Sequence, residues 1–196
     1  MREKALGPEH PDTGESLNNL ACLLMKQGDL AAARPLYERA LAVCENALGP
    51  DHHRTGTSLS SLAALLYAQG DFAAARPLSE RALAINEKAL GPDHPDTATT
   101  LGNLAGLLHD QSESASARPL YERALAIREN ALGPHHPTSA TSLNSLALLL
   151  QAQGEVAAAR PLYERALAIR EKALGPDHPD TATVRRNLAA LLELNR

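Results

Sequence analysis

Apolar residues in this chain recur at helical spacing. Leu17, Leu20, Ala21 and Leu24 follow i, i+3, i+4, i+7, which is one face of an α-helix. Ala33, Leu36, Tyr37, Ala40, Leu41 and Cys44 continue at steps of three and four. Between the two stripes, Gly28 suits a left-handed helix end and Asp29 can cap the next helix. Pro11 fits a first helical turn, where its missing N–H costs nothing. Asp12 then lies near the positive end of the helix dipole. Gly49-Pro50 stops the second helix. The pattern predicts antiparallel helices over about 11–27 and 29–48.

This unit recurs. Ala-Leu-Gly-Pro opens at Ala5, Ala47, Ala89, Ala131 and Ala173, always 42 residues apart, and 22 of the 42 columns are identical in the four full copies. A period of that length signals a solenoid or a propeller. The apolar content is mainly Ala and Leu, and aromatics are 3%, which favours packed helices over propeller blades. We expect one array over residues 1–196. It comprises the end of a preceding helix at 1–6, repeats at about 5–46, 47–88, 89–130 and 131–172, and a terminal half repeat at 173–196. The opening Arg2-Glu3-Lys4-Ala5-Leu6-Gly7-Pro8 copies Arg170 to Pro176, so the chain reads as a piece of a longer protein.

Two local features break the pattern. Pro35, Pro77, Pro119 and Pro161 fall inside the second helices, where a proline removes one backbone bond. A bend is expected there, not a break, because the apolar stripe continues. In the third copy the turn reads Ser112-Glu113-Ser114 instead of Gly-Asp or Gly-Glu followed by an apolar residue. A left-handed Ser112 costs about 1 kcal/mol more than Gly, so this turn is expected to open first.

Charge and chemistry narrow the function. The net charge of −4 and the interleaving of Arg39 with Glu38 leave no basic face for nucleic acid. No apolar run is long enough to span a membrane, and Met1-Arg2-Glu3-Lys4 lacks the apolar stretch of a signal peptide. Cys22 and Cys44 make no disulfide framework, and a reduced, cytoplasmic setting is the expectation. His10, His52, His94, His136 and His178 recur, with doublets at His52-His53 and His135-His136. Successive copies lie a helix pair apart, at roughly 10 Å per layer, so they cannot share a metal. They are read as linker side chains that help set the next helix start. Phosphate loop, nucleophile elbow and paired acid and base are all missing from the sequence. No catalytic residue, cofactor or metal is expected.

The Leu20-Ala21 pair, Gln27-Gly28-Asp29, Ala33, Tyr37 and Ala40 resemble the signature of the tetratricopeptide repeat. The usual unit is about 34 residues. This longer form is similar to the repeats of kinesin light chain and of many bacterial multi-repeat proteins. It departs in having Leu17 at the tryptophan-like position and no proline ending the second helix. The resemblance implies an all-α, right-handed αα-superhelix whose concave groove, lined by first helices, binds extended peptides or short helical segments without catalysis. By the same resemblance the groove stripe of the first repeat is Glu15, Asn18, Asn19, Cys22, Met25 and Lys26. The candidate groove residues are Asn18, Asn19, Cys22, Met25, Ser61, Tyr67, Asn103, His109, Asn144, Ser145, Gln151, Arg186 and Asn187. An Asn or Ser can both donate to and accept from a peptide backbone, and is equally at home as a solvated surface residue. At the Cys22 column stand Ala64, Gly106, Leu148 and Ala190, small or apolar groups that leave room for a backbone. The Met25 column varies most, as Tyr67, His109, Gln151 and Glu193, and suits selectivity. Lys26 and Arg185-Arg186 are the only basic groups on the stripe and lie at opposite ends, which disfavours a carboxylate clamp. The rival reading is a structural segment that self-associates end to end through Leu188, Leu191 and Leu192 of the uncovered half repeat.

Overall fold

A computed structural model describes residues 6–193. Among them nine helices follow in order: α1 Pro11–Lys26, α2 Leu30–Leu48, α3 His53–Ala68, α4 Phe72–Leu90, α5 Pro95–Asp110, α6 Ser114–Leu132, α7 Pro137–Ala152, α8 Val156–Leu174 and α9 Pro179–Glu193. The fold class is the all-α helical-repeat superhelix, with no strand among the described residues. The helix end expected at 1–6 lies outside the described residues except for Leu6. The chain divides into two compact units, residues 1–107 and 108–196. In the first, α2 packs against α1 and α3, and α4 against α3; in the second, α7 packs against α6 and α8, and α9 against α8.

The start of each first helix shows what the recurring histidine does. His10 Nδ1 accepts from Asp12 N at 3.1 Å, His52 from Arg54 N at 3.1 Å and His94 from Asp96 N at 3.1 Å. His136 accepts from Thr138 N at 3.3 Å, and His178 from Asp180 N at 3.1 Å. The imidazole Nδ1 thus serves as the N-cap acceptor. One element of the linker was not legible. The hydroxyl of Thr13 donates to Gly7 O at 2.8 Å, as do Thr55 to Gly49 O, Thr97 to Gly91 O, Ser139 to Gly133 O and Thr181 to Gly175 O at 2.8–3.1 Å. Each of these hydroxyl residues is buried. A histidine cap and a hydroxyl staple together fix how the chain enters every first helix.

The core follows the repeat. Ala21, Ala33 and Ala40 are fully buried, so α1 and α2 approach closely. Tyr37, Tyr121 and Tyr163 stand at one column of the second helices, 2%, 7% and 0% exposed. The second helices run through Pro35, Pro77, Pro119 and Pro161 unbroken, with each proline on the exposed side. Four i, i+4 pairs, Arg34–Glu38, Arg76–Glu80, Arg118–Glu122 and Arg160–Glu164 at 2.7–2.9 Å, decorate the solvent face. Such exposed pairs add little to stability.

The ends differ from the expected stripe. Leu20 and Leu23 are 47% and 52% exposed, whereas Leu62 and Leu65 at the same columns are 7% and 0% exposed. In later repeats the preceding second helix covers these columns, and no second helix precedes α1 among the described residues. At the other end Leu191 is fully buried and Leu188 half-buried, leaving Leu192 exposed. The apolar end expected from three leucines is therefore smaller than the sequence suggested.

Ser112 has φ 65°, the one left-handed non-glycine among the described residues. Glycine holds that place at Gly28, Gly70 and Gly154. Ser112 is followed by Glu113, whose side chain makes no cap bond, while Asp29 and Asp71 cap their helices at 3.0 and 3.1 Å. Ser112→Gly should raise the stability of the second unit by about 1 kcal/mol. Amide exchange should show residues 109–116 opening more readily than 67–74. Equal protection of the two turns, with no gain from the glycine, would contradict the strain.

Candidate functional site

Within the first unit the first helices and their partners frame cavities that gather several of the candidates. One, of about 200 Å³, lies among α3, α4 and α5 and is lined by Ala63, Ala64, Tyr67, Ala75, Ser79, Gly102, Asn103, Gly106 and Leu107. It brings together two groove candidates, Tyr67 and Asn103, across the small residues Ala64 and Gly106. Tyr67 is 39% exposed and stacks obliquely on Phe72 with ring centroids 5.6 Å apart. Asn103 is exposed at the cavity's edge. The amide and the phenol therefore offer polar groups above an apolar floor.

The second cavity, of about 240 Å³, is polar. Asn18 lines it beside Glu15, His53, Arg54, Thr57, Ser58 and Asp96. Arg54 pairs with Asp12 at 3.0 Å and Glu15 at 3.7 Å, so its charge is held in place. Burial, helped by the neighbouring His52 and Arg54, lowers the His53 pKa below the ordinary histidine value, against the pull of Asp96. A neutral imidazole, an amide and hydroxyls facing one space can hydrogen-bond a peptide backbone.

The second unit carries the counterpart, a cavity of about 340 Å³ lined by Ala140, Thr141, Asn144, Arg170, Asp180, Thr183 and Val184. Asn144 stands at the Asn18 column, but the charges are exchanged: Asp180 replaces Arg54, and Arg170 replaces Cys44. The Arg170 side chain is only 14% exposed and bonds Asp180 Oδ2 at 3.1 Å and Thr141 Oγ1 at 2.6 Å. Asn187 donates to Asn144 Oδ1 at 3.0 Å, so two candidates hold each other.

Other candidates are engaged locally. Gln151 accepts from the Tyr163 hydroxyl at 2.8 Å, and His109 Nδ1 meets Ser114 Oγ at 3.3 Å. Arg186 donates to Thr183 Oγ1 at 3.3 Å. Cys22 lies beside the buried Tyr37 phenol. Asn19 is exposed, and Met25, Ser61 and Ser145 are half-buried; none of the four lines a cavity described above. Residues not anticipated are His53, Arg54, Ser79, Asp96, Arg170 and Asp180. For four of them the signal was a column that varies between copies: His53 in a proline column, Arg54 in an aspartate column, Ser79 in a tyrosine column, and Arg170 in a column of Cys44, Asn86 and Arg128; Asp96 and Asp180 follow the repeat and carried no such signal.

Among the described residues no group of three or more His, Cys, Asp or Glu side chains could hold a metal ion. No described helix is long and apolar enough to cross a membrane.

Comparison with known proteins agrees with this architecture. The family model for the tetratricopeptide repeat matches at residues 21–88, 57–130, 103–172 and 138–196. The chain is similar to the nearly identical TPR-like repeats of a kinesin light chain candidate from Podosopora anserina. There it is 30% identical over 95% of this chain and 88% of that one, with a TM-score of 0.78. A point-substituted form of that protein gives 29% identity, the same coverage and a TM-score of 0.79. BtubC (BKLC) from P. vanneervenii is 29% identical over 91% of this chain and 71% of its own, with a TM-score of 0.79. Among curated proteins none matches. Such repeats generally serve as scaffolds for protein–protein interaction and are generally non-catalytic. The helix pairs, their column-by-column cores and these matches across most of the sequence agree: the chain belongs to the tetratricopeptide repeat family.

Proposed function

We propose that this chain is a non-enzymatic scaffold that holds an extended protein segment along the groove side of its first helices. The observation that carries the reading is the cavity uniting Tyr67 and Asn103 over Ala64 and Gly106. Small residues let a backbone approach, while an exposed amide and phenol supply bonds at its edge. The polar cavity at Asn18 offers a second set of partners in the same unit. These two cavities mix polar and apolar groups without a single dominant charge. That favours main-chain bonding over capture of a terminal carboxylate.

A displayed library of unstructured peptides, panned against the full chain, tests this. Enriched peptides should lose about fivefold in affinity for Asn103→Ala, the effect of one net hydrogen bond. Glu38→Ala, on the solvent face of α2, should leave them unchanged. A library yielding no binder, or binders indifferent to Asn103→Ala, overturns the proposal.

The rival reading, end-to-end self-association, draws on exposed Leu20, Leu23 and Leu192. In the inner repeats the columns of Leu20 and Leu23 pack against a second helix, whereas both ends of the described array are first helices. Stacking two copies would therefore pair two surfaces each shaped for a different partner. Sedimentation showing a monomer at high concentration agrees with the groove reading, and a concentration-dependent polymer favours the rival.

A further inference from the structure

We infer that the cavity beside Ser79 is a receptor for one aromatic side chain of the bound segment. This rests on the groove reading above and adds a chemical class to it. The chain supplies its own template. At the same column three copies carry Tyr37, Tyr121 and Tyr163, each buried as a plug between helices. The second copy carries Ser79, itself 5% exposed, and the space a phenol ring would occupy becomes part of a cavity of about 200 Å³. An apolar cavity of about 150 Å³ is enough to hold benzene.

The walls suit a ring. Ala63, Ala75 and Leu107, all under 4% exposed, form an apolar floor. The mouth stays open because the next first helix carries Gly102 and Gly106 where α1 carries Asn18 and Cys22. A Cβ built on Gly102 would meet nothing within 4 Å. Tyr67 at the rim adds a ring edge for aromatic contact, and Ser79 and Asn103 offer bonds to a phenol hydroxyl or an indole N–H. A ring entering from the groove would thus restore, from outside, the plug that the other three copies provide from within.

The probe is p-cresol, the tyrosine side chain itself, titrated into the full chain and followed by amide shifts of Ala63, Ala75 and Gly106. A saturable shift is expected. Ser79→Tyr should fill the space and abolish it while raising the melting temperature. Gly106→Leu, copying Leu148 at that column, should narrow the mouth and weaken binding even if the tyrosine variant fails to fold. Isobutanol should bind more weakly than p-cresol. No saturable shift, shifts untouched by both variants, or isobutanol binding as tightly would overturn the assignment. Cresol binding without any peptide binder would sink the groove reading and leave the cavity intact; the converse would sink only the aromatic pocket.

Discussion

Tyr163→Ala should remove about 3–5 kcal/mol from the second unit, the range for deleting a buried aromatic ring. The ring is fully buried, and the residues a helical turn before and after it, Ala159 and Ala166, are fully buried too. Small neighbours cannot swing in to fill the space, so most of the cavity cost persists. Tyr163→Phe keeps the ring and loses the bond to Gln151, with an expected cost of about 1 kcal/mol. Ser79→Ala, at the same column of α4, should cost far less, because no ring stands there in the native chain. Urea melts followed by circular dichroism check all three. A Tyr163→Ala loss below about 1.5 kcal/mol would show that the column tolerates an empty place generally, and would remove the contrast with Ser79.

That contrast explains what the sequence could and could not reveal. The helix pairs were legible because packing demands apolar residues at steps of three and four, and Pro11, Gly28, Asp29 and Gly49 mark the ends. Observed α1 and α2 lie within one residue of the predicted spans. The left-handed Ser112 was legible for the same reason, since its siblings are glycines. The recurring histidine marks a helix start in the sequence, but nothing there singles out Nδ1 as the acceptor. The staple from Thr13 to Gly7 O was missed because its partner is a backbone carbonyl, which leaves no trace in side-chain pattern.

The candidate stripe was harder. Periodicity gives a face, but not which residues on it are already engaged. Gln151 and Tyr163 lie 12 residues apart and Asn144 and Asn187 lie 43 apart, so their pairing depends on how helices of different copies meet. Leu20 shows the complementary failure. It carries the same apolar signal as Leu62, yet only the inner copy has a helix to cover it. Repeats make average positions easy to read and exceptional ones informative. Ser79 stands out only because three other copies say what belongs there.

Alkaline pH should destabilise both units over a defined window. Burial raises the phenol of Tyr163 to about 12. Burial, with the Cys22 thiol beside it, raises Tyr37 to about 12. An unfolded tyrosine loses its proton near about 10. The unfolded chain therefore sheds protons first, and the stability tied to the neutral phenol is fully present below about pH 10 and drains away as pH rises to about 12. At about 1.4 kcal/mol for each pH unit, roughly 2–3 kcal/mol should leave each unit. The ionised Tyr163 can no longer donate to Gln151, which gives the loss a structural cause. Tyr163→Phe makes the decisive comparison. It should start less stable at neutral pH, yet lose the steep decline of the second unit between pH 10 and 12. Urea melts across that interval, with tyrosinate absorbance in the near ultraviolet, read both quantities. If parent and variant decline alike, or if every phenol ionises near pH 10 while the helical signal holds, the buried tyrosines do not govern the alkaline limit.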